Sequence, residues 1–83
     1  MNLFPHRRPR SRSAVEIQEK RFGYFPQVFR WRGKRYDVQA VERCWNATRG
    51  APQLCFRVRC REGIFDLCQN VRDNTWRLVP LHA

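Results

Sequence analysis

Fifteen arginines and two lysines stand against seven acidic residues, for a net charge of +10 on 83 residues. That bias points to one kind of chemistry before any other. A guanidinium is a planar fork that grips phosphate oxygens in pairs and stacks on rings, which an ammonium does poorly. A sequence pI near 11.0 is the electrostatic footprint expected of a polyanion binder. The same excess would also serve plain solubility, so what decides is where the arginines stand.

Ten of the seventeen basic residues stand in two groups. Arg7, Arg8, Arg10 and Arg12 fall in residues 1–13, MNLFPHRRPRSRS, which hold two prolines and no acid. So little apolar surface does not offset the entropy of ordering, and the stretch reads as a flexible basic arm. Arms of this kind track phosphates or thread a groove, although a terminus can equally be solvated and without a role. The second group, Arg30, Lys34, Arg35, Arg57, Arg59 and Arg61, lies in alternating strand-like runs with Trp31 among them. Like charges on adjacent sheet positions repel, so a small domain that keeps them together gains from an anionic partner. The competing reading is a solvated face on which Asp37 and Asp66 interleave with the arginines.

Catalytic patterns are missing. No histidine stands beside a potential nucleophile, because His6 and His82 lie at the chain ends, and the only serines are Ser11 and Ser13. No glycine-rich phosphate loop leads into a helix, and no two carboxylates share a strand face. Glu42 or Glu62 with Tyr36 could in principle serve a basic ribonuclease, but neither acid has an orienting partner in the sequence. The expectation is a protein that is not an enzyme and needs no cofactor.

Four cysteines, Cys44, Cys55, Cys60 and Cys68, are separated by ten, four and seven residues, without the close pair of a zinc knuckle. No apolar run has the roughly 20 residues of a membrane-spanning helix, and the N-terminus lacks the apolar core of a secretory signal. A cytoplasmic setting follows as the default, and in it the cysteines read as small buried hydrophobes, with neither a metal nor a disulfide expected. Asn46-Ala47-Thr48 is formally a glycosylation acceptor but carries no weight without a secretion signal.

The elements that must position these residues are strands. In Phe29–Val38, FRWRGKRYDV, the rings and Val38 flank Arg32-Gly33, a hairpin signal. A two-residue loop there sets Trp31 opposite Lys34, Arg30 opposite Arg35 and Phe29 opposite Tyr36. Rings then occupy one side and cations the other. Beyond Tyr36 the apolar parity changes at Val41 and Trp45, and a bulge near Gln39-Ala40 would return Val41 to the core while pushing Arg43 inward. Residues 46–53, NATRGAPQ, do not alternate and read as a loop. Leu54, Phe56, Val58 and Cys60 alternate with Cys55, Arg57 and Arg59. If Glu62-Gly63 is the next two-residue loop, Cys60 faces Phe65, Val58 faces Leu67 and Arg59 faces Asp66. Residues 70–74 make a polar turn, and residues 75–79 a last strand that Pro80 stops. Residues 14–23 read as a short strand or a capped helical turn, the strand being favoured.

The sum is a single small all-β domain over residues 14–83: a five- to six-stranded antiparallel meander, curled into a half-open barrel or twisted sheet to hide one aromatic face. Phe29, Tyr36, Phe56, Phe65 and Trp76 are needed for its core. Trp31, Trp45 and Phe25 are the rings free to be exposed, and Tyr24-Phe25 could form a sticky edge.

The pattern Phe29-x-Trp31-x-Gly33-x-x-Tyr36-x-Val38, then Trp45, Phe56-x-Val58, Phe65-x-Leu67 and Trp76-x-Leu78, resembles a family of small bacterial all-β proteins. It is similar also to segments in the C-terminal regions of Y-family translesion polymerase relatives. The resemblance covers roughly residues 24–79 and rests on core aromatics and a turn glycine, so it speaks for fold more than for activity. It implies an accessory role around DNA replication or repair, with a protein partner in such a complex. It also implies that Cys55 and Cys68 replace aromatic residues in packing. The function expected is nonenzymatic nucleic-acid binding; the alternative is a protein-interaction module that docks by exposed aromatics or by a sheet edge.

Overall fold

Arg32 and Gly33 both have positive φ, 53° and 78°, the signature of the hairpin turn whose twist matches its strands. In the computed structural model, which describes residues 13–80 apart from the side chains at 49 and 80, this turn joins β2 (Phe25–Trp31) to β3 (Lys34–Arg49). The pairing is the one the sequence predicts: Phe29 with Tyr36, Arg30 with Arg35, Trp31 with Lys34. Before it comes β1 (Ala14–Arg21), a strand rather than a helical turn. After it come β4 (Ala51–Cys60), β5 (Gly63–Asn70) and β6 (Thr75–Pro80). The arm expected over 1–13, with Arg7, Arg8, Arg10 and Arg12, lies outside the described residues except for Ser13.

Each strand pairs antiparallel with the next, and β6 returns to β1, so the sheet closes into a six-stranded barrel. Closure is narrow. Among the described residues only Ala14 with Arg77 and Val15 with Trp76 pair across it, helped by the Leu78 N–H donating to the Ser13 carbonyl at 2.7 Å. The interior is filled by Val15, Phe29, Tyr36, Phe56, Val58, Cys60, Leu67, Trp76 and Leu78. Phe29 stacks on Tyr36 with centroids 5.0 Å apart, and Phe65 meets both rings edge-on. Rings of this size give a short chain enough buried area to hold a closed sheet.

Four expectations are corrected. The β4–β5 turn is Arg61-Glu62, one residue earlier than the sequence suggests, because Gly63 pairs with Cys60 and opens β5. The register therefore shifts by two residues: Val58 faces Phe65, Phe56 faces Leu67, and Arg57 rather than Arg59 faces Asp66. A two-residue shift preserves which face each side chain takes, so the apolar face survives.

Residues 46–53 are not a loop. β3 and β4 continue as a ladder from Asn46 with Leu54 to Arg49 with Ala51, reversing at Gly50, whose φ is +74°. Alternation is missing there because neither face of the extension covers the barrel core.

Arg43 does not turn inward. The expected bulge at Gln39 is present, and a second register shift at Glu42 resets the parity, so Arg43 pairs with Arg57 and is exposed. Finally, Cys55 and Cys68 are not merely packing residues. They sit directly opposite on β4 and β5, with Cα atoms 4.1 Å apart, and are joined as a disulfide. Cys60 is buried and free, and Cys44 is exposed.

Candidate nucleic-acid interface

A closed meander sorts its turns between two ends. Ser13, the Arg32-Gly33 turn, the Arg61-Glu62 turn and Pro80 share one end; residues 22–24, Gly50 and residues 71–74 share the other. Lys34 beside one turn reaches Glu62 in the other at 3.6 Å, which ties the first end together. The chain preceding Ser13 carries the arginines of residues 7–12 and joins the barrel here.

The basic face expected along the strands is largely neutralised. Arg57 donates twice to Asp66, at 2.8 and 3.1 Å, and this bond holds the guanidinium more firmly protonated than usual. Arg35 pairs with Asp37 two residues along its own strand at 3.2 Å. Arg59 pairs with Glu42 at 3.2 Å, the bulge having turned that carboxylate toward it. Lys34 shares Glu62 as above. Of the six strand cations that the sequence brought forward, Lys34, Arg35, Arg57 and Arg59 therefore each have a carboxylate. Arg30 and Arg61 have no ion pair among the described residues and are exposed.

Arg30, Trp31 and Arg61 all belong to the end where the arm joins. Trp31 is half-buried, tilted against Tyr36 and Phe65 at 6.1 and 6.2 Å. Above it lies the guanidinium of Arg32, 4.7 Å from the ring centroid. Arg32 is exposed and holds a left-handed backbone conformation that costs a non-glycine residue about 1–2 kcal/mol. Sequence reasoning missed this residue. The available signal was the turn itself, where asparagine or aspartate ordinarily precedes the glycine and arginine has no conformational reason to stand.

Elsewhere the rings are occupied. Trp45 is half-buried between Arg43 at 4.8 Å and Arg57 at 5.6 Å, and Phe25 is half-buried against Tyr24 and Phe56. None of Trp31, Trp45 and Phe25 is thus fully exposed. Among the described residues the exposed large hydrophobic side chains are Phe22, Tyr24, Ile64 and Val71, of which the sequence reading singled out only Tyr24. Glu42 and Glu62, the acids considered for catalysis, are both in ion pairs, and Tyr36 is buried against Phe29. Among the described residues no three histidine, cysteine or acidic side chains are grouped to hold a metal, and no helix is long and apolar enough to cross a membrane.

Comparison with protein-family models, with curated proteins and with solved structures finds no match. The chemistry of this end is therefore argued from its own residues: three guanidinium groups without carboxylate partners among the described residues, one ammonium paired with Glu62, and a half-buried indole under Arg32. Such a group can neutralise phosphates and offers a flat ring edge beside them.

Proposed function

We propose that the protein is a nonenzymatic nucleic-acid-binding module that works through the end of the barrel where its basic arm joins. Arg30, Arg32 and Arg61 contact phosphates, Lys34 assists, Trp31 supplies stacking area, and Arg7, Arg8, Arg10 and Arg12 extend the cationic track. The observation that carries this reading is Arg32. A long cation is kept at a left-handed turn position, beside a tryptophan, where a smaller residue would be more stable. Phosphate contacts made by turn and arm residues fix affinity more than sequence, and an accessory role around DNA replication or repair is what the resemblance of residues 24–79 implies; the Cys55–Cys68 disulfide speaks against the cytoplasmic setting expected from the sequence.

Fluorescence anisotropy of a labelled oligonucleotide of roughly 20 nucleotides, single-stranded and duplex, is the test. Saturable binding with a dissociation constant on the order of micromolar at low salt, weakening steeply as salt rises, is the expected result. No binding at tens of micromolar protein in low salt, on the order of the weakest nonspecific affinities, would overturn the reading.

A further inference from the structure

The barrel wall is open between β2 and β3. β3 pairs with β2 only from Lys34 to Asp37 and then with β4 from Val38 to Arg49. Beyond Asp37, the edge of β3 that faces β2 has no partner strand among the described residues. A groove of about 490 Å³ occupies the gap, lined among others by Arg21, Phe22, Phe25, Val41, Arg43 and Cys44. It lies toward the end opposite the arm.

Three features of the groove agree on an occupant. A bare strand edge presents backbone donors and acceptors that another extended backbone satisfies. The bulges at Gln39 and Glu42 blunt the part of this edge that lines most of the groove, but from Arg43 to Arg49 the ladder to β4 is regular, so the edge runs straight from the groove's outer part, at Arg43 and Cys44, to beyond it. Beside it, Phe22 is 86% exposed at a φ of 56°, a strained conformation that holds an apolar ring in water. Tyr24 continues inward, edge-on to Phe25 at 4.9 Å and to Phe56 at 5.6 Å, so that an aromatic path leads from the core to the groove.

Charge selects among candidates. Arg21 and Arg43 are exposed at the rim, and the acid that lines the groove, Glu42, is engaged by Arg59. The chain's own basic arm and a second copy of a +10 protein are both repelled by such a rim. We propose that the groove between β2 and β3 is a docking site for an extended acidic segment of another protein. That segment adds a strand to the bare edge of β3 and seats an apolar side chain against Phe22 and Phe25. The site is separate from the proposed nucleic-acid interface and stands or falls without it.

The test uses the full chain and a synthetic eight-residue peptide of sequence Glu-Glu-Ile-Val-Ile-Val-Glu-Glu. A control of the same sequence, N-methylated at each of the four consecutive amides of its Ile-Val-Ile-Val core so that both strand edges are blocked, keeps charge and side chains but cannot pair. Binding is followed by amide chemical shifts of the 15N-labelled protein. The expected result is saturable shifts confined to residues 21–27 and 39–48, at least tenfold weaker binding of the methylated control, and at least tenfold weaker binding by the Arg21→Glu, Arg43→Glu variant. Equal binding of the two peptides, or shifts centred on Arg32 and Arg61, would mean attraction by charge alone and overturn the proposal. So would concentration-dependent shifts of the same residues without peptide, which would assign the edge to a second copy. A variant with Arg30, Arg32 and Arg61 changed to Gln must keep its peptide affinity even where it loses oligonucleotide binding.

Discussion

Arg32 sets a strained backbone against the proposed phosphate contact in one side chain. Its guanidinium lies over Trp31 while its backbone occupies a region that favours glycine and asparagine. Arg32→Asn is expected to stabilise the fold by about 0.5–1 kcal/mol, since asparagine tolerates that conformation, and to weaken oligonucleotide binding severalfold. Urea denaturation and anisotropy on the same preparation check the two opposed signs. Asp66 behaves differently, for it is buried and both its oxygens accept from Arg57. Asp66→Asn should cost about 1–2 kcal/mol of stability and leave oligonucleotide affinity unchanged, read by the same pair of measurements. Cys60 supplies a pH signature. Burial pushes its thiol from 9.0 up to about 11, so the folded state retains a proton that the unfolded chain loses. The associated stability is fully present below pH 9 and disappears as pH rises through about 11. A urea midpoint that falls over this window in the native protein, and falls less in Cys60→Ala, is the expected outcome.

Strand pairing shows how much of the fold was legible in the sequence and where legibility ended. The Arg32-Gly33 hairpin could be read to the residue, because alternating rings on both sides and a turn that needs positive φ admit one register. The Arg61-Glu62 hairpin could be read only as to face. Shifting it by two residues leaves every apolar side chain on the same side, so hydrophobicity does not choose between the two registers. The error had chemical consequences. The expected register places Cys55 opposite Asn70 and Arg59 opposite Asp66, whereas the actual one places Cys55 opposite Cys68 and Arg57 opposite Asp66. A disulfide and a partly buried ion pair were therefore hidden by one turn. The ladder through residues 46–53 escaped notice for the opposite reason, since a ribbon that covers no core has no pattern to reveal it. The disulfide spans a separation of 13 residues on neighbouring strands. Its reduction is expected to lower stability by about 2–3 kcal/mol, measured as the shift in urea midpoint with and without dithiothreitol. Cys55→Ser with Cys68→Ser should reproduce the reduced value.

For the molecule as a whole, the decisive feature is where charge remains after local pairing. Spreading cations over strand faces leaves little net field when Asp37, Glu42 and Asp66 stand beside Arg35, Arg59 and Arg57. The sequence supplied the number of arginines and their parity, but which of them meet a carboxylate depends on register and bulges, neither of which composition records. Closure then sets Arg30, Arg32 and Arg61 at the end that receives the arm, and the groove between β2 and β3 toward the other. The two proposals, an anionic strand at one end and an acidic polypeptide at the other, therefore rest on separate parts of the barrel.

The most direct measurement is the slope of log affinity against log salt for a single-stranded oligonucleotide, compared among three proteins. Against the native chain, Arg30→Gln with Arg32→Gln and Arg61→Gln should make the slope shallower by about 2, because each lost phosphate contact on a single strand removes roughly 0.7 of a released ion. Arg35→Gln with Arg59→Gln, which removes two cations already matched by carboxylates, should leave the slope where it was. An unchanged slope in the first variant, or a larger loss in the second, would contradict the placement of the interface at the arm-bearing end.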